Sequence, residues 1–172
     1  MSNLIARNCR IVVVAVILLV LPLAAYAVPQ KGKSLPTFEA TAVTGQKVSS
    51  STAFAGKVVL LAISADKCTY CKMAIPRLNM LFDSYGKQGL LVQGVIRGPG
   101  FGLERLKRYI EENQVAHPLA LVSGQTIDTI GAYAVPTYIL LNKMGTITGY
   151  YRGYSERNMQ EMEKQVKLLL VE

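Results

Sequence analysis

The chain has 172 residues, enough for one domain with a full hydrophobic core plus a leader, so disulfide staples are not needed for folding. It carries 19 Lys and Arg against 11 Asp and Glu, a net charge of +8. The bases form no dense run and no stripe with interleaved aromatics, which argues against nucleic-acid binding; a solvated basic surface is the simpler reading, and such a charge favours acidic partners or an anionic membrane surface.

Residues 1–27 read as a targeting segment. They hold no acid and two bases, Arg7 and Arg10, followed by the unbroken apolar run Ile11–Leu21, the breaker Pro22 and the A-x-A signal Ala25-Tyr26-Ala27. The run is short for a membrane span of about 20 residues, which favours a cleaved signal peptide over an uncleaved N-terminal anchor. Either form takes the rest of the chain out of the cytoplasm. No Cys follows the run at a lipid-attachment position, and Cys9 lies within the leader. With 17 bases against 11 acids, the remainder carries +6.

Residues 28–36, punctuated by Pro29, Gly32 and Pro36, are expected to be a flexible lead-in to a single domain over 37–172. Phe38–Val48, centred on Thr44-Gly45, predicts a hairpin with a bulge, and Ser49–Phe54 a single helical turn. Val58–Ser64 is nearly all apolar, the pattern of a strand buried on both faces. Met73, Ile75, Leu78, Leu81, Phe82 and Tyr85 recur at helical spacing, with Gly86 and Gly89 as the stop. Leu90–Ile96 predicts a second buried strand, Gly98–Gly102 a loop, and Leu103–Asn113 an amphipathic helix. A short strand over Pro118–Val122 and a short helix over Thr126–Tyr133 follow. Tyr138–Leu141 and Thr146–Tyr151 pair around Lys143-Met144-Gly145, and Ser155 caps a last helix reaching about Val171. Strands alternating with helices predict an α/β domain whose sheet is mostly parallel, with antiparallel strands from the closing hairpin.

Cys68-Thr69-Tyr70-Cys71 sits between a buried strand and a helix. The first N–H groups of a helix lack helical partners, and the macrodipole adds positive charge there. Both favour thiolate over thiol, and such settings lower a Cys pKa from about 8.5 to roughly 3.5–7.5. Lys67 and Lys72 flank the pair and act in the same direction. Cys68, nearer the helix start, is expected to be the nucleophile, and Cys71, one turn inward, the resolving thiol. A purely structural staple is weakly supported, because closing a four-residue loop gains only about 2 kcal/mol against about 4.7 for a hundred-residue loop. A structural zinc ion wants four ligands, and one C-x-x-C with the distant His117 does not supply them. No metal and no cofactor is expected.

Cys68–Cys71, Pro76 five residues further on, Gly131-Ala132-Tyr133-Ala134-Val135-Pro136-Thr137 and then Leu140-Leu141-Asn142-Lys143-Met144-Gly145 together resemble the thioredoxin superfamily, in particular the TlpA/ResA group of exported oxidoreductases. The resemblance runs from about Leu35 to the C terminus. It implies a thioredoxin-like fold: a central mixed sheet flanked by helices, with an extra strand and helix inserted before the cis-proline. It further implies that Pro136 is that cis-proline, that Val135 offers its N–H and C=O to an extended substrate strand beside Cys68, and that Pro76 kinks the active-site helix.

Three positions depart from the family pattern. Lys67 stands where a Trp usually precedes the first Cys, Ala62 where many thioredoxins bury an acid, and Ala74 where some cytochrome-maturation relatives carry a Glu. Asp66 is the nearest substitute acid, though a loop or helix-start role is the simpler reading. His117 reads as structural or surface, Arg97 with the glycine-rich loop after it as a plain connection first and a shaper of substrate access second, and Tyr150, Tyr151 and Tyr154 as packing between sheet and last helix.

The expected function is dithiol–disulfide exchange with exported cysteine-containing proteins, in the periplasm or another extracytoplasmic space, with a membrane thiol-disulfide electron partner. The resemblance leans toward a reductase. A disulfide-forming oxidant, an isomerase, or a redox-silent adaptor that binds an assembly partner are the alternatives. A single C-x-x-C, with Ala65 where a Thr or Ser would stand, argues against a peroxidase.

Overall fold

The computed structural model describes residues 28–98 and 100–172; the targeting segment with Cys9, and Pro99, lie outside the described residues. The hairpin expected near Gly45 forms from β1 (Glu39–Ala42) and β2 (Lys47–Ser49). Gly45 takes φ +88° and donates its N–H to Ala42 O at 2.8 Å, a left-handed position that costs glycine little. The short α1 (Ser50–Ala53) follows. Then come β3 (Val58–Ala65), α2 (Thr69–Tyr85) and, after a 3₁₀ turn at Gly86–Gln88, β4 (Leu90–Arg97). The chain continues through α3 (Leu103–Glu112), β5 (Leu119–Leu121) and α4 (Gly124–Ile130). It closes with β6 (Thr137–Leu141), β7 (Ile147–Arg152) and α5 (Glu156–Val171), whose start is capped by Ser155 accepting from Asn158 N.

The seven strands form one sheet in the order β2-β1-β5-β4-β3-β6-β7. Only β3–β4 and β4–β5 are parallel; the other four pairings are antiparallel. The sheet is therefore mixed, with a smaller parallel part than the alternation of strands and helices suggests. The reason is length. The seven-residue α4 spans only about 10 Å at 1.5 Å per residue. It does not carry the chain back across the sheet, so β6 starts at the end where β5 finished and runs against β3. The segment between β4 and the proline loop, α3-β5-α4, holds the extra strand and helix expected there.

Side-chain alternation along the strands builds two main cores. Leu60, Ala62, Tyr138 and Leu140 face α2 and α5 on one side of the sheet. Leu61, Ile63, Ile139 and Leu141 face α4 and the β1 region on the other. A third cluster under α3 joins Ile75, Ile96, Leu106 and Tyr109. Tyr151 and Tyr154 pack toward α5 as expected, whereas Tyr150 packs on the opposite face, as its neighbouring position in a strand requires. The lead-in is anchored to the closing hairpin: Gly32 N donates to Ile147 O and Ile147 N to Lys33 O, both at 2.8 Å. Among the described residues no helix is long and apolar enough to cross a membrane.

Candidate active site

The parallel strands β3 and β4 end together at Ala65 and Arg97, and β3 leads straight into the cysteine pair. A turn closes with Cys68 N donating to Ala65 O at 3.2 Å. Cys68 is the N-cap of α2, in extended backbone, and is disulfide-bonded to Cys71 with a Cα–Cα distance of 5.2 Å. Cys71 N donates to Cys68 Sγ at 3.1 Å. That N–H is one of the orphan donors at a helix start and stands ready for a thiolate once the disulfide opens. Cys68 is partly exposed, while Cys71, one turn into the helix, is 4% exposed. An incoming thiolate or disulfide can therefore reach the first sulfur and not the second. The helix continues through Pro76, which has no N–H to give the Lys72 carbonyl.

The Val135–Pro136 peptide bond is cis. Thr137 pairs with Ile63 at the end of β3, so Pro136 enters the sheet at the same pole as the disulfide. Thr137 Oγ1 donates to Ala134 O at 2.8 Å and closes the proline loop. Pro136 O accepts from Gly153 N at 2.8 Å, whereas no turn, loop or cap hydrogen bond among the described residues uses the N–H or C=O of Val135. Val135 is half-buried, with Pro136 buried beside it.

Asp66 forms an ion pair with Arg105, tying the turn before Cys68 to α3. This is the loop role, with the carboxylate held by a guanidinium. The positions of the absent acids are both core: Ala62 lies opposite Tyr138 in the β3–β6 pair, and Ala74 is buried in the same cluster. Among the described residues no carboxylate is buried; the buried polar residues are Ser50, His117 and Thr137. What the sequence reading missed is Tyr138, 1% exposed, whose hydroxyl has no hydrogen-bond partner among the described residues. Burial holds this phenol protonated well above its usual range. Its only sequence signal was its place two residues after Pro136.

His117 is structural. It is 5% exposed, its Nδ1 lies 2.9 Å from Asn79 Oδ1, and burial lowers its pKa to about 4. Arg97 does more than end a strand: its Nη2 donates to Tyr133 O at 3.4 Å, across to the loop that carries Val135. No group of three or more metal-ligating side chains occurs among the described residues.

A family model described as the AhpC/TSA family matches residues 31–150, more than half of the chain. The chain belongs to the AhpC/TSA family. It is similar to the thiol-disulfide oxidoreductase ResA of Bacillus thuringiensis subsp. konkukian, 26% identical over 137 residues, covering 79% of this chain and 76% of the relative. It is similar also to ResA of Bacillus anthracis, 28% identical over 141 residues, covering 80% and 78%. Among solved structures, a Chlorobium tepidum protein described as a thiol:disulfide interchange protein DsbE superposes with a TM-score of 0.75 at 23% identity, over 83% of this chain and 99% of that one. The thioredoxin domain of a Bacteroides vulgatus thiol-disulfide oxidoreductase gives 0.70 at 22% identity, over 80% and 98%. The structural likenesses establish the thioredoxin-like fold. Kinship within the AhpC/TSA family and the Cys68–Cys71 disulfide make the chain a thiol:disulfide oxidoreductase.

Proposed function

We propose that the chain is an exported oxidoreductase that reduces disulfides in extracytoplasmic proteins, with Cys68 as nucleophile and Cys71 as resolving thiol. The observation that carries this is the asymmetry of the pair: a partly exposed sulfur at the helix N-terminus, bonded to a buried one. In the reduced enzyme the Cys68 thiolate attacks one sulfur of a substrate disulfide, and the leaving thiolate takes up a proton. Cys71 then loses its proton and displaces the substrate's other thiol from Cys68. The substrate gains two electrons and two protons, and the enzyme is left as the disulfide. The open N–H and C=O of Val135, with Pro136 fixing the loop, support docking of the substrate backbone as a short extended segment. Export rests on the targeting features of residues 1–27, and the enzyme is re-reduced by a membrane thiol-disulfide partner.

The direction is tested by equilibrating the protein with glutathione redox buffers and measuring the fraction oxidised. A potential near about −270 mV, where thioredoxin-type reductants lie, supports the reductase. A potential near about −120 mV would assign an oxidant instead.

A further inference from the structure

Beside the disulfide, on the β4 side of β3, lies a cleft of about 310 Å³ between the cysteine turn and α3. Four bases line it, Lys67, Lys72, Arg105 and Arg108, against two acids, Asp66 and Glu112. Asp66 is paired with Arg105. Lys72 Nζ rests 5.8 Å from the centre of the Tyr109 ring. Lys67 and Arg108 are exposed and make no hydrogen bond or ion pair among the described residues. The charge of Arg108 reaches Glu104, one turn back on α3, so the rim keeps Lys67 as its unpaired cation and the cleft as a whole carries four bases against two acids. Two of its bases are sequence neighbours of the reacting groups, Lys67 before Cys68 and Lys72 after Cys71. Pro136 leads into β6, the neighbour of β3 on its other side. A substrate strand docked at Val135 and crossing Cys68 therefore runs on toward this cleft.

Resting on the reductase reading, we propose that the cleft selects protein substrates whose cysteine is flanked by carboxylates, receiving an acidic segment as the chain leaves Cys68. A potential concentrated in a concave site raises the encounter rate of the complementary charge, and the effect fades as salt screens it. The shape favours a protein segment over a bilayer, since flat headgroups do not enter a recess between a turn and a helix.

The test uses the reduced full chain and three peptides that each carry one disulfide and differ only in flanking residues: aspartates, lysines or serines. The readout is kcat/KM for each peptide at low and high salt. The aspartate peptide is expected to be preferred over the serine peptide, and the lysine peptide disfavoured. Arg108→Glu lowers the aspartate-to-serine ratio about five- to tenfold, the size expected from reversing one exposed charge in such a cleft. Lys107→Glu, on the same helix but outside the cleft, keeps the wild-type ratio. High salt collapses the ratio for wild type. Equal turnover of the three peptides at low salt would overturn the cleft and leave the oxidoreductase standing. If no peptide is turned over, the exchange reading itself fails. Fluorescence anisotropy of an aspartate peptide with serines for its cysteines then decides the cleft alone: binding lost in Arg108→Glu sustains it, and no binding overturns it. Wild-type binding to anionic vesicles, lost in Arg108→Glu and without any peptide preference, would assign the bases to a membrane and also overturn it.

Discussion

His117 offers a measurement that the fold alone dictates. The imidazole is sealed between α2 and β4. Asn79 Oδ1 accepts from Ala116 N at 2.9 Å and sits 2.9 Å from His117 Nδ1, while Asn79 Nδ2 donates to Gln114 O at 2.7 Å. Because Asn79 Oδ1 is an acceptor, Nδ1 carries the proton and Nε2 is bare. On that side the ring lies against Gly94, where an added Cβ would be 3.3 Å from Nε2. Among the described residues no charged partner compensates a cation there, and burial lowers the folded-state pKa from 6.5 to about 4. The sign follows from proton counting. Above pH 6.5 the ring is neutral whether folded or unfolded, and it costs nothing. Below 6.5 the unfolded chain binds a proton that the folded one refuses, so stability falls until the folded ring titrates near 4. The full loss is about 3 kcal/mol, of which about 2 kcal/mol is reached between pH 7 and pH 5. The chain has one histidine, so its proton NMR resonance can be followed without ambiguity. Urea unfolding of wild type and His117→Gln at pH 7 and pH 5 should show the wild type losing about 2 kcal/mol more than the variant. A titration midpoint at 6 or above, or identical pH dependence in the two proteins, would refute the argument.

Three further outcomes are expected. Cys71→Ser accumulates mixed disulfides with cysteine-containing proteins, and Cys68→Ser accumulates none; non-reducing gels of cell extracts read this, and equal trapping by both would favour a redox-silent binder. In the reduced wild type, Cys68 is alkylated before Cys71, because one sulfur is partly exposed and the other buried; mass mapping after brief iodoacetamide treatment reads the order. Tyr138→Phe raises stability by about 1 kcal/mol, since it removes a buried hydroxyl that has no partner; a lower urea midpoint in the variant would show that the hydroxyl is satisfied in solution.

Local patterns carried most of the fold. The apolar runs of β3 and β4, the helical spacing from Met73 to Tyr85 and the turn glycines at 45, 89 and 145 each point to one local conformation, and the structure adopts it. The cysteine pair was legible as a motif between a strand and a helix, whereas the cis-proline came only through the resemblance to the thioredoxin superfamily, since few X-Pro bonds are cis. Relations between distant segments were not legible. The direction of β6 depends on how far α4 reaches, the pairing of Asp66 with Arg105 spans two elements, and the burial of Tyr138 depends on alanines at 62 and 74 leaving room across the sheet. Nothing in the composition around Arg108 marks it as facing the cysteine turn; that follows only once α3 is laid beside α2.

The hydrogen bonds of Gly32 and Lys33 to Ile147 fix where the domain is held. Ile147 opens β7 at the end of the sheet where β6 finishes, whereas the disulfide and Pro136 sit where β6 begins. Eight residues of β3 separate these two poles, about 26 Å of strand. The chain upstream of Gly32 therefore enters the domain at the pole opposite Cys68, so anything that grips the protein there leaves the reactive sulfur on the far side, open to approach.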